Sequence, residues 1–134
     1  MSVHVRLRVA AETLAMPVGH VVEVAKLGDP EPVPRSRPEI LGVSNMRGQI
    51  LPVVDLALLL GIQRTAPPSR LLVAEAGDLS AGFAIDEVLE VSELADPTEE
   101  TTSELLAGAT LADGDLIGVI DVPRVFELLL GSQQ

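Results

Sequence analysis

Few side chains in this sequence are suited to covalent chemistry. Cysteine is absent, no Gly-x-Ser-x-Gly motif occurs, and only two histidines are present, His4 and His20. An enzyme needs titratable groups that converge in a pocket, so this short inventory predicts a protein that is not an enzyme. His4 falls on the expected exposed side of the first strand, and His20 falls at a turn. Either could act as a base, but a solvated or capping histidine is the simpler interpretation.

Carboxylates are the remaining candidates for a metal site or a catalytic pair. Asp55 and Asp121 each follow an apolar run, and no spacing of Asp and Glu resembles a calcium-binding loop. Both aspartates precede short helical patterns that end at Gly61 and Gly131, so they stand where helix N-caps are expected. N-capping explains both residues without catalysis. We therefore expect no catalytic residue, no metal and no cofactor.

Arg47 is the charged residue that most needs an explanation. It lies in "NMRGQILPVVDL" (45–56), where an apolar hairpin pattern surrounds Arg47 and Gly48. Two interpretations stay open: a solvated arginine at the tip of the hairpin, or a charge-assisted bond to a carboxylate. Glu23 is the candidate partner, because it is the single acid among the valines of "HVVEV", which are expected to be buried.

The composition narrows the class of protein. The chain has 134 residues, 47% of them hydrophobic, but its only aromatic residues are Phe83 and Phe126. Its net charge of −11 repels phosphate backbones, and aromatic stacking platforms are lacking, so nucleic-acid binding is not expected. The N-terminal segment alternates instead of forming a signal peptide, and apolar stretches such as 57–60 are too short to span a membrane. These features predict a cytoplasmic protein without direct membrane insertion.

Charge is distributed unevenly along the chain. Residues 1–67 contain seven Lys or Arg and six Asp or Glu, whereas residues 68–134 contain two and fourteen. Acidic loops that keep an apolar domain soluble would account for this asymmetry. The alternative is a molecule with two faces, one nearly neutral and one acidic, that meet different partners.

The sequence contains an internal repeat. "GVSNMRGQILPVVDLALLL", which begins at Gly42, aligns with "GATLADGDLIGVIDVPRVF", which begins at Gly108, at an offset of 66 residues. The preceding segments "LAMPVGHVVEV" and "AGFAIDEVLEV" align at an offset of 67. In this alignment Arg47 matches Asp113, so the arginine is specific to the first copy. We expect one domain spanning 1–134, with sub-barrels at about 1–67 and 68–134.

Each copy is read mainly as β-strands. The first strand (3–9) alternates apolar and polar residues, and "RLLVAEA" (70–76) is its counterpart. "ILPVVDL" and "LIGVIDV" are apolar on both faces, which predicts strands buried between layers. In each copy the segment follows a glycine at the tip of a hairpin. Proline-rich or acidic segments at 29–38, 63–69 and 95–104 are expected to be exposed. The pattern predicts a mainly β fold of two small antiparallel barrels with short helices.

The stretch "ILGVSNMRGQILPVVDLALLLG" resembles the signature of the CheW family of chemotaxis coupling proteins. That signature combines Gly-Val, an Asn-Leu-Arg-Gly hairpin, an apolar strand with proline, and Val-Asp-Leu. "HVVEV" and "AGFAIDEVLEV" resemble two further segments of the family, so that the likeness spans about residues 3–130. The residues that fit the signature are Gly42, Val43, Asn45, Arg47, Gly48, Pro52, Val54, Asp55 and Leu56.

The resemblance implies two SH3-like five-stranded antiparallel barrels sharing a core. It also implies a non-enzymatic adaptor that couples the cytoplasmic tips of chemoreceptors to a histidine autokinase and is recruited to receptor arrays at the membrane. A receptor would bind a groove lined by Val21 and Gly42, beside a structural Glu23–Arg47 pair, and the regulatory domain of the kinase would bind the second barrel. The residues predicted to bind a partner or to support its site are Val21, Glu23, Gly42, Asn45, Arg47 and Gly48.

Two other functions stay open at this stage. One is a small-molecule-binding barrel protein, which would need a dry pocket with converging charged groups. The other is a regulatory protein-binding module outside chemotaxis. Binding of a receptor tip fragment and of a kinase regulatory domain would separate these functions from a chemotaxis adaptor.

Overall fold

The computed structural model describes residues 1–130 and contains ten strands and two α-helices in that range. A 3₁₀ turn, Val18–His20, links the second strand to the third. No helix in the described range is long and apolar enough to cross a membrane. The elements are β1 (Ser2–Val9), β2 (Glu12–Pro17), β3 (Val21–Lys26), β4 (Ile40–Met46), β5 (Gln49–Asp55), α1 (Leu56–Leu60), β6 (Arg70–Ala76), β7 (Leu79–Ile85), β8 (Glu87–Leu94), β9 (Leu106–Ala112), β10 (Asp115–Ile120) and α2 (Val122–Leu130).

The strands form two five-stranded sheets, each built from both repeats. Sheet A has the order β8-β1-β2-β10-β9, and sheet B has the order β3-β6-β7-β5-β4. Sheet A takes three strands from the second repeat and the β1–β2 hairpin from the first. Sheet B takes three strands from the first repeat and the β6–β7 hairpin from the second. The prediction of sub-barrels at 1–67 and 68–134 is wrong for this reason. Two copies with the same strand pattern offer equivalent edges, and the sequence pattern alone does not say which sheet a hairpin joins.

The exchanged hairpins are held by one parallel pairing in each sheet. Residues 14–15 of β2 run parallel to residues 118–119 of β10, and residues 82–84 of β7 run parallel to residues 53–55 of β5. All other strand pairings are antiparallel, as predicted. The mainly β fold with two SH3-like barrels is confirmed, with one parallel neighbour in each barrel.

One large apolar core lies between the sheets, and a smaller core lies inside each. Strands of both sheets and both helices contribute to the large core, in which the rings of Phe83 and Phe126 pack with their centroids 6.1 Å apart. On β5, Leu51 and Val53 line the interior of sheet B, while Val54 points into the shared core. The predicted burial on both faces is therefore confirmed for the middle of the strands.

The ends of the hairpin strands depart from that prediction. Ile50 and Leu116 occupy equivalent positions on β5 and β10, and their residues are 61% and 58% exposed. The alternation of the strand directs both side chains to the face that bears the shared core, but the hairpins extend beyond that core. The expectation that Ile50 is buried is therefore wrong.

Aspartate N-caps start both helices, as predicted. Oδ1 of Asp55 accepts a hydrogen bond from the backbone N–H of Leu58 at 3.3 Å, and Oδ1 of Asp121 accepts one from the N–H of Arg124 at 3.1 Å. Gly61 closes α1 with a left-handed φ of 73°. Gly131, the predicted cap of α2, lies outside the described residues.

The segment between the repeats is tied down by Arg64. Its Nη1 donates to Oδ1 of Asp86 at 2.7 Å and its Nε to Oδ1 of Asp55 at 3.4 Å, and all three side chains are at most 16% exposed. The same oxygen of Asp86 accepts the backbone N–H of Ala10 at 2.7 Å. Asp86 thus joins the β1–β2 turn to the segment between the repeats, and Arg64 joins that segment to the start of α1.

The linkers before β4 and β9 cover the edges of the two sheets. Glu31 forms an isolated β-bridge with Val43, and Glu99 forms one with Ala109. Both bridges run over a glycine, Gly42 or Gly108, whose φ is 151° or 143°. A Cβ on Gly42 would collide with the carbonyl group of Glu31. Glycine at these positions lets the linker backbone pass close enough to pair, which satisfies part of an otherwise open sheet edge.

We predict that Gly42→Ala lowers the free energy of unfolding by on the order of 2 kcal/mol, because it combines a backbone collision with a φ that alanine rarely adopts. Urea unfolding followed by circular dichroism measures this effect. Gly28→Ala is the matched control, since nothing lies within 4 Å of a Cβ at that position. Equal stability of the two variants would contradict the role of the bridge.

We predict a loss of about 2–3 kcal/mol for Asp86→Ala, because Arg64 would keep only the longer of its two bonds in a poorly hydrated site. The same urea titration measures this change. Asp29→Ala, in an exposed part of the linker, removes a carboxylate without touching this network and should leave stability within about 0.5 kcal/mol of wild type. A similar effect of both substitutions would show that the network contributes nothing specific.

Candidate functional site

The two histidines do not form a catalytic centre. His4 is 3% exposed and its Nδ1 lies 3.0 Å from the carbonyl oxygen of Ser2, so the expectation that it faces solvent is wrong. His4 lies on the same face of β1 as Arg6, and this face points into sheet A. The cross-strand partner of His4 is Ser92. His20 is half-buried at the 3₁₀ turn, and its Nδ1 lies 2.9 Å from the carbonyl oxygen of Glu75. The structure thus supports structural roles for both rings.

The acidic groups of the described chain are not arranged as a metal site. No group of three or more His, Asp or Glu side chains within residues 1–130 could hold a metal ion. A cavity of about 280 Å³ lies beneath the segment that leads into β9, and its lining contains Glu99 and Glu100 but no histidine, lysine or arginine. That lining lacks the converging charges of opposite sign that a small polar ligand would require.

The hairpin between β4 and β5 places Arg47 at its tip. Met46 pairs with Gln49, which leaves a two-residue turn in which Arg47 has a φ of 55° and Gly48 a φ of 86°. Two positive φ values are typical of a type I′ turn, for which Asn-Gly is the preferred sequence. Oδ1 of Asn45 accepts the backbone N–H of Gly48 at 2.9 Å and braces the turn from the strand. Arginine is therefore not the residue that the turn itself favours.

Arg47 and Glu23 form the predicted ion pair. Nη2 of Arg47 donates to Oε2 of Glu23 at 3.2 Å. The arginine side chain is 80% exposed and the glutamate side chain 25% exposed. A pair this open to water contributes only about 0–1 kcal/mol, so the fold does not depend on it. Its effect is to orient a guanidinium group with many free donors on the surface of the molecule.

The valines beside Glu23 are less buried than expected. On β3 it is Val21, Glu23 and Ala25 that turn inward, whereas Val22 and Val24 are 49% and 42% exposed. The register shifts between Val21 and Glu23, and Glu23 pairs with Val73, which lines the interior of sheet B. Val22 and Val24 therefore form an exposed apolar strip, and the strip lies on the strand that carries the partner of Arg47.

The other predicted site residues have separate surroundings. Val21 is half-buried and packs against the shared core. Gly42 is buried beneath the linker backbone, so it does not present an open surface to a partner. The structure brings together Glu23, Asn45, Arg47 and Gly48 at one end of sheet B, whereas Gly42 lies toward the other end of β4, beneath the linker.

A second charge cluster, which the sequence analysis did not identify, occupies the equivalent end of sheet A. Nη1 of Arg6 lies 2.9 Å from Oδ2 of Asp113 and 3.3 Å from Oε1 of Glu90. Arg6 pairs with Glu90 as Val73 pairs with Glu23, so the arginine stands where sheet B has an interior valine. The repeat alignment contained the signal, because it matches Glu23 with Glu90 and Arg47 with Asp113. It gave no sign that the cation would come from β1.

Comparisons with known proteins show which family this chain resembles. Residues 4–129 match the CheW-like domain family. The chain is 33% identical over 123 residues to the chemotaxis protein CheW of Thermotoga maritima, covering 87% of this chain and 82% of that protein. It is 36% identical over 115 residues to the protein FrzA of Myxococcus xanthus, covering 84% of this chain and 70% of that protein.

A solved structure matches the whole arrangement of strands. The scaffolding protein TtCheW of Thermoanaerobacter tengcongensis superposes with a TM-score of 0.86 at 27% sequence identity, covering 99% of this chain and 97% of that one. The family match covers nearly the whole chain, and both relatives are more than 30% identical to it over most of its length. The chain therefore belongs to the CheW family of chemotaxis coupling proteins and is a non-enzymatic adaptor of chemotaxis signalling.

Proposed function

We propose that this protein joins the cytoplasmic tip of a chemoreceptor to the regulatory domain of a histidine autokinase, in the cytoplasm, at receptor arrays beside the membrane. An adaptor of this kind needs two surfaces that can be occupied at the same time. The two ends of the molecule meet that need, because they have equivalent backbones and opposite charges at their hairpin tips, Arg47 and Asp113.

The observation that carries the receptor side of the proposal is the exposed guanidinium of Arg47. A hairpin tip with a preference for Asn-Gly bears an arginine whose ion pair adds little stability, so binding is the better explanation for its presence. On the strand that carries its ion-pair partner Glu23, the apolar strip of Val22 and Val24 suits the apolar face of a receptor helix, with Glu23 and Arg47 as the polar rim.

The observation that supports a different partner for the other end is its charge. Strands β8, β9 and β10 of sheet A come from the acidic second half of the chain, and the tip residue there is Asp113. A receptor surface that accepts Arg47 would repel this acidic end, so the two ends discriminate between partners.

The central test is a pull-down with a receptor tip fragment and, separately, with the kinase regulatory domain. Wild-type protein should bind both, and a ternary mixture should yield all three components. Failure to bind either fragment would remove the proposed function and would favour a protein-binding role outside kinase coupling.

We predict that Arg47→Glu weakens recovery with receptor-containing membranes in co-sedimentation by at least fivefold while the protein still folds. The substitution places two carboxylates at the rim, where the wild type has a bound pair. Arg70→Glu makes the same change of charge at the exposed first residue of β6, in the same sheet, and should behave as wild type. Normal recovery of Arg47→Glu would count against the receptor site.

We predict that Arg47→Asn separates stability from binding. Asparagine suits the positive φ of this turn position, so the free energy of unfolding should be at least that of wild type and up to about 1 kcal/mol higher, while receptor binding falls. Asp113→Asn, at the equivalent turn position, keeps Arg47 and should keep receptor binding. If Arg47→Asn bound the receptor as well as wild type, the arginine would have no role in recognition.

A further inference from the structure

Methionine is the side chain of this protein that peroxide oxidises reversibly, because the chain contains no cysteine. Its three methionines differ in their access to solvent. Met1 is 81% exposed, whereas Met16 is fully buried in the large core. Met46 is half-buried and packs against the interior cluster of sheet B. Among the three, only Met46 combines partial access to solvent with a place in an apolar cluster.

Met46 closes the hairpin that carries Arg47. It is the last residue of β4 and pairs with Gln49, so the two-residue turn that begins at Arg47 stands directly on this pair. The cluster against which Met46 packs contains Val73, and Val73 is the cross-strand partner of Glu23. The packing of Met46 therefore helps to set the position of the hairpin tip relative to the carboxylate that Arg47 contacts at 3.2 Å.

The equivalent hairpin of sheet A has no sulfur at this position. Ala112 is the last residue of β9, closes the turn that begins at Asp113 and packs against the interior cluster of sheet A. An alanine side chain has no atom that peroxide oxidises. An oxidant can thus change the end of the molecule that bears Arg47 and leave the end that bears Asp113 intact.

We infer that Met46 is an oxidation-sensitive modification site, whose conversion to the sulfoxide by peroxide weakens receptor binding. This inference rests on the proposed function, because that function supplies the receptor as the partner of this end. In the reaction one oxygen of hydrogen peroxide forms a bond to the methionine sulfur as the O–O bond breaks. The sulfur loses two electrons, and the other oxygen leaves as water. A methionine sulfoxide reductase, with a thiol as the reductant, reverses the modification.

The sulfoxide turns a flexible apolar side chain into a polar one. Its oxygen requires a hydrogen bond that an apolar cluster does not supply, so the modified side chain of Met46 moves out of the interior of sheet B toward water. The pair that closes the hairpin then shifts, and Arg47 loses its alignment with Glu23. The cluster that the side chain leaves consists of Leu51, Val53, Leu71, Val73 and Ala84.

The test treats the purified protein with hydrogen peroxide and follows each methionine by mass spectrometry, since the three lie in separate tryptic peptides. Met46 should be oxidised faster than Met16, and the dissociation constant for the receptor tip fragment should rise at least fivefold. Binding of the kinase regulatory domain should not change. Met46→Leu is the matched control, because it removes the sulfur, keeps an apolar side chain of similar size and leaves Met1 open to oxidation. Its receptor binding should be the same before and after treatment.

Met46→Gln provides a second measurement that needs no oxidant. Glutamine is polar and similar in length to methionine, so this variant should weaken receptor binding by a similar factor while urea unfolding shows that it still folds. Treatment of the oxidised wild type with methionine sulfoxide reductase and dithiothreitol should restore receptor binding.

Three results would overturn the inference and leave the proposed function standing. The first is normal receptor binding by protein in which Met46 is fully oxidised, and the second is an equal loss of binding by peroxide-treated Met46→Leu. The third is loss of kinase-domain binding together with receptor binding, because oxidation would then unfold the whole molecule instead of changing one end. Absence of receptor binding by untreated wild type would overturn both the inference and the proposed function.

Discussion

The exchange of the β1–β2 and β6–β7 hairpins between the repeats is the constraint on which the rest of the structure depends. Each hairpin completes the sheet of the other repeat through one parallel and one antiparallel pairing. Neither repeat alone contains all five strands of a sheet. The large core can form only when both sheets are complete, because both contribute to it. The two ends of the adaptor are consequently parts of one cooperative unit, which fixes their separation and orientation.

On this shared frame the two sheets have diverged in chemistry. The interior of sheet B is lined by Leu71 and Val73, whereas the equivalent positions of sheet A carry His4 and Arg6. Buried polar groups are tolerated where they have partners, and Arg6 finds them at the rim in Glu90 and Asp113. The outer surface has diverged in parallel, with an arginine at one hairpin tip and an aspartate at the other. Duplication supplies two equivalent surfaces, and substitution then gives each hairpin tip a different charge.

Stability and recognition are carried by different residues. Apolar packing, the linker bridges over Gly42 and Gly108, and the network around Asp86 hold the fold. The Glu23–Arg47 pair is too exposed to matter much for folding, and Arg47 occupies a turn that would prefer asparagine. A side chain that is kept at some local cost and is open to solvent is well suited to meeting another protein.

The sequence by itself determined the repeat, the strand and helix types, the helix caps and the Gly48 turn, because each follows from local periodicity or local turn chemistry. It named Glu23 as the candidate partner of Arg47 but left a solvated arginine open. Only the tertiary structure decided which hairpin completes which sheet, since two similar repeats offer interchangeable strand edges. It also decided that His4 is buried, that Ile50 and Val22 are exposed, and that Arg6 reaches Asp113 from a strand 107 residues away. Alternation along a strand distinguishes two faces, but the placement of the second sheet determines which face meets water.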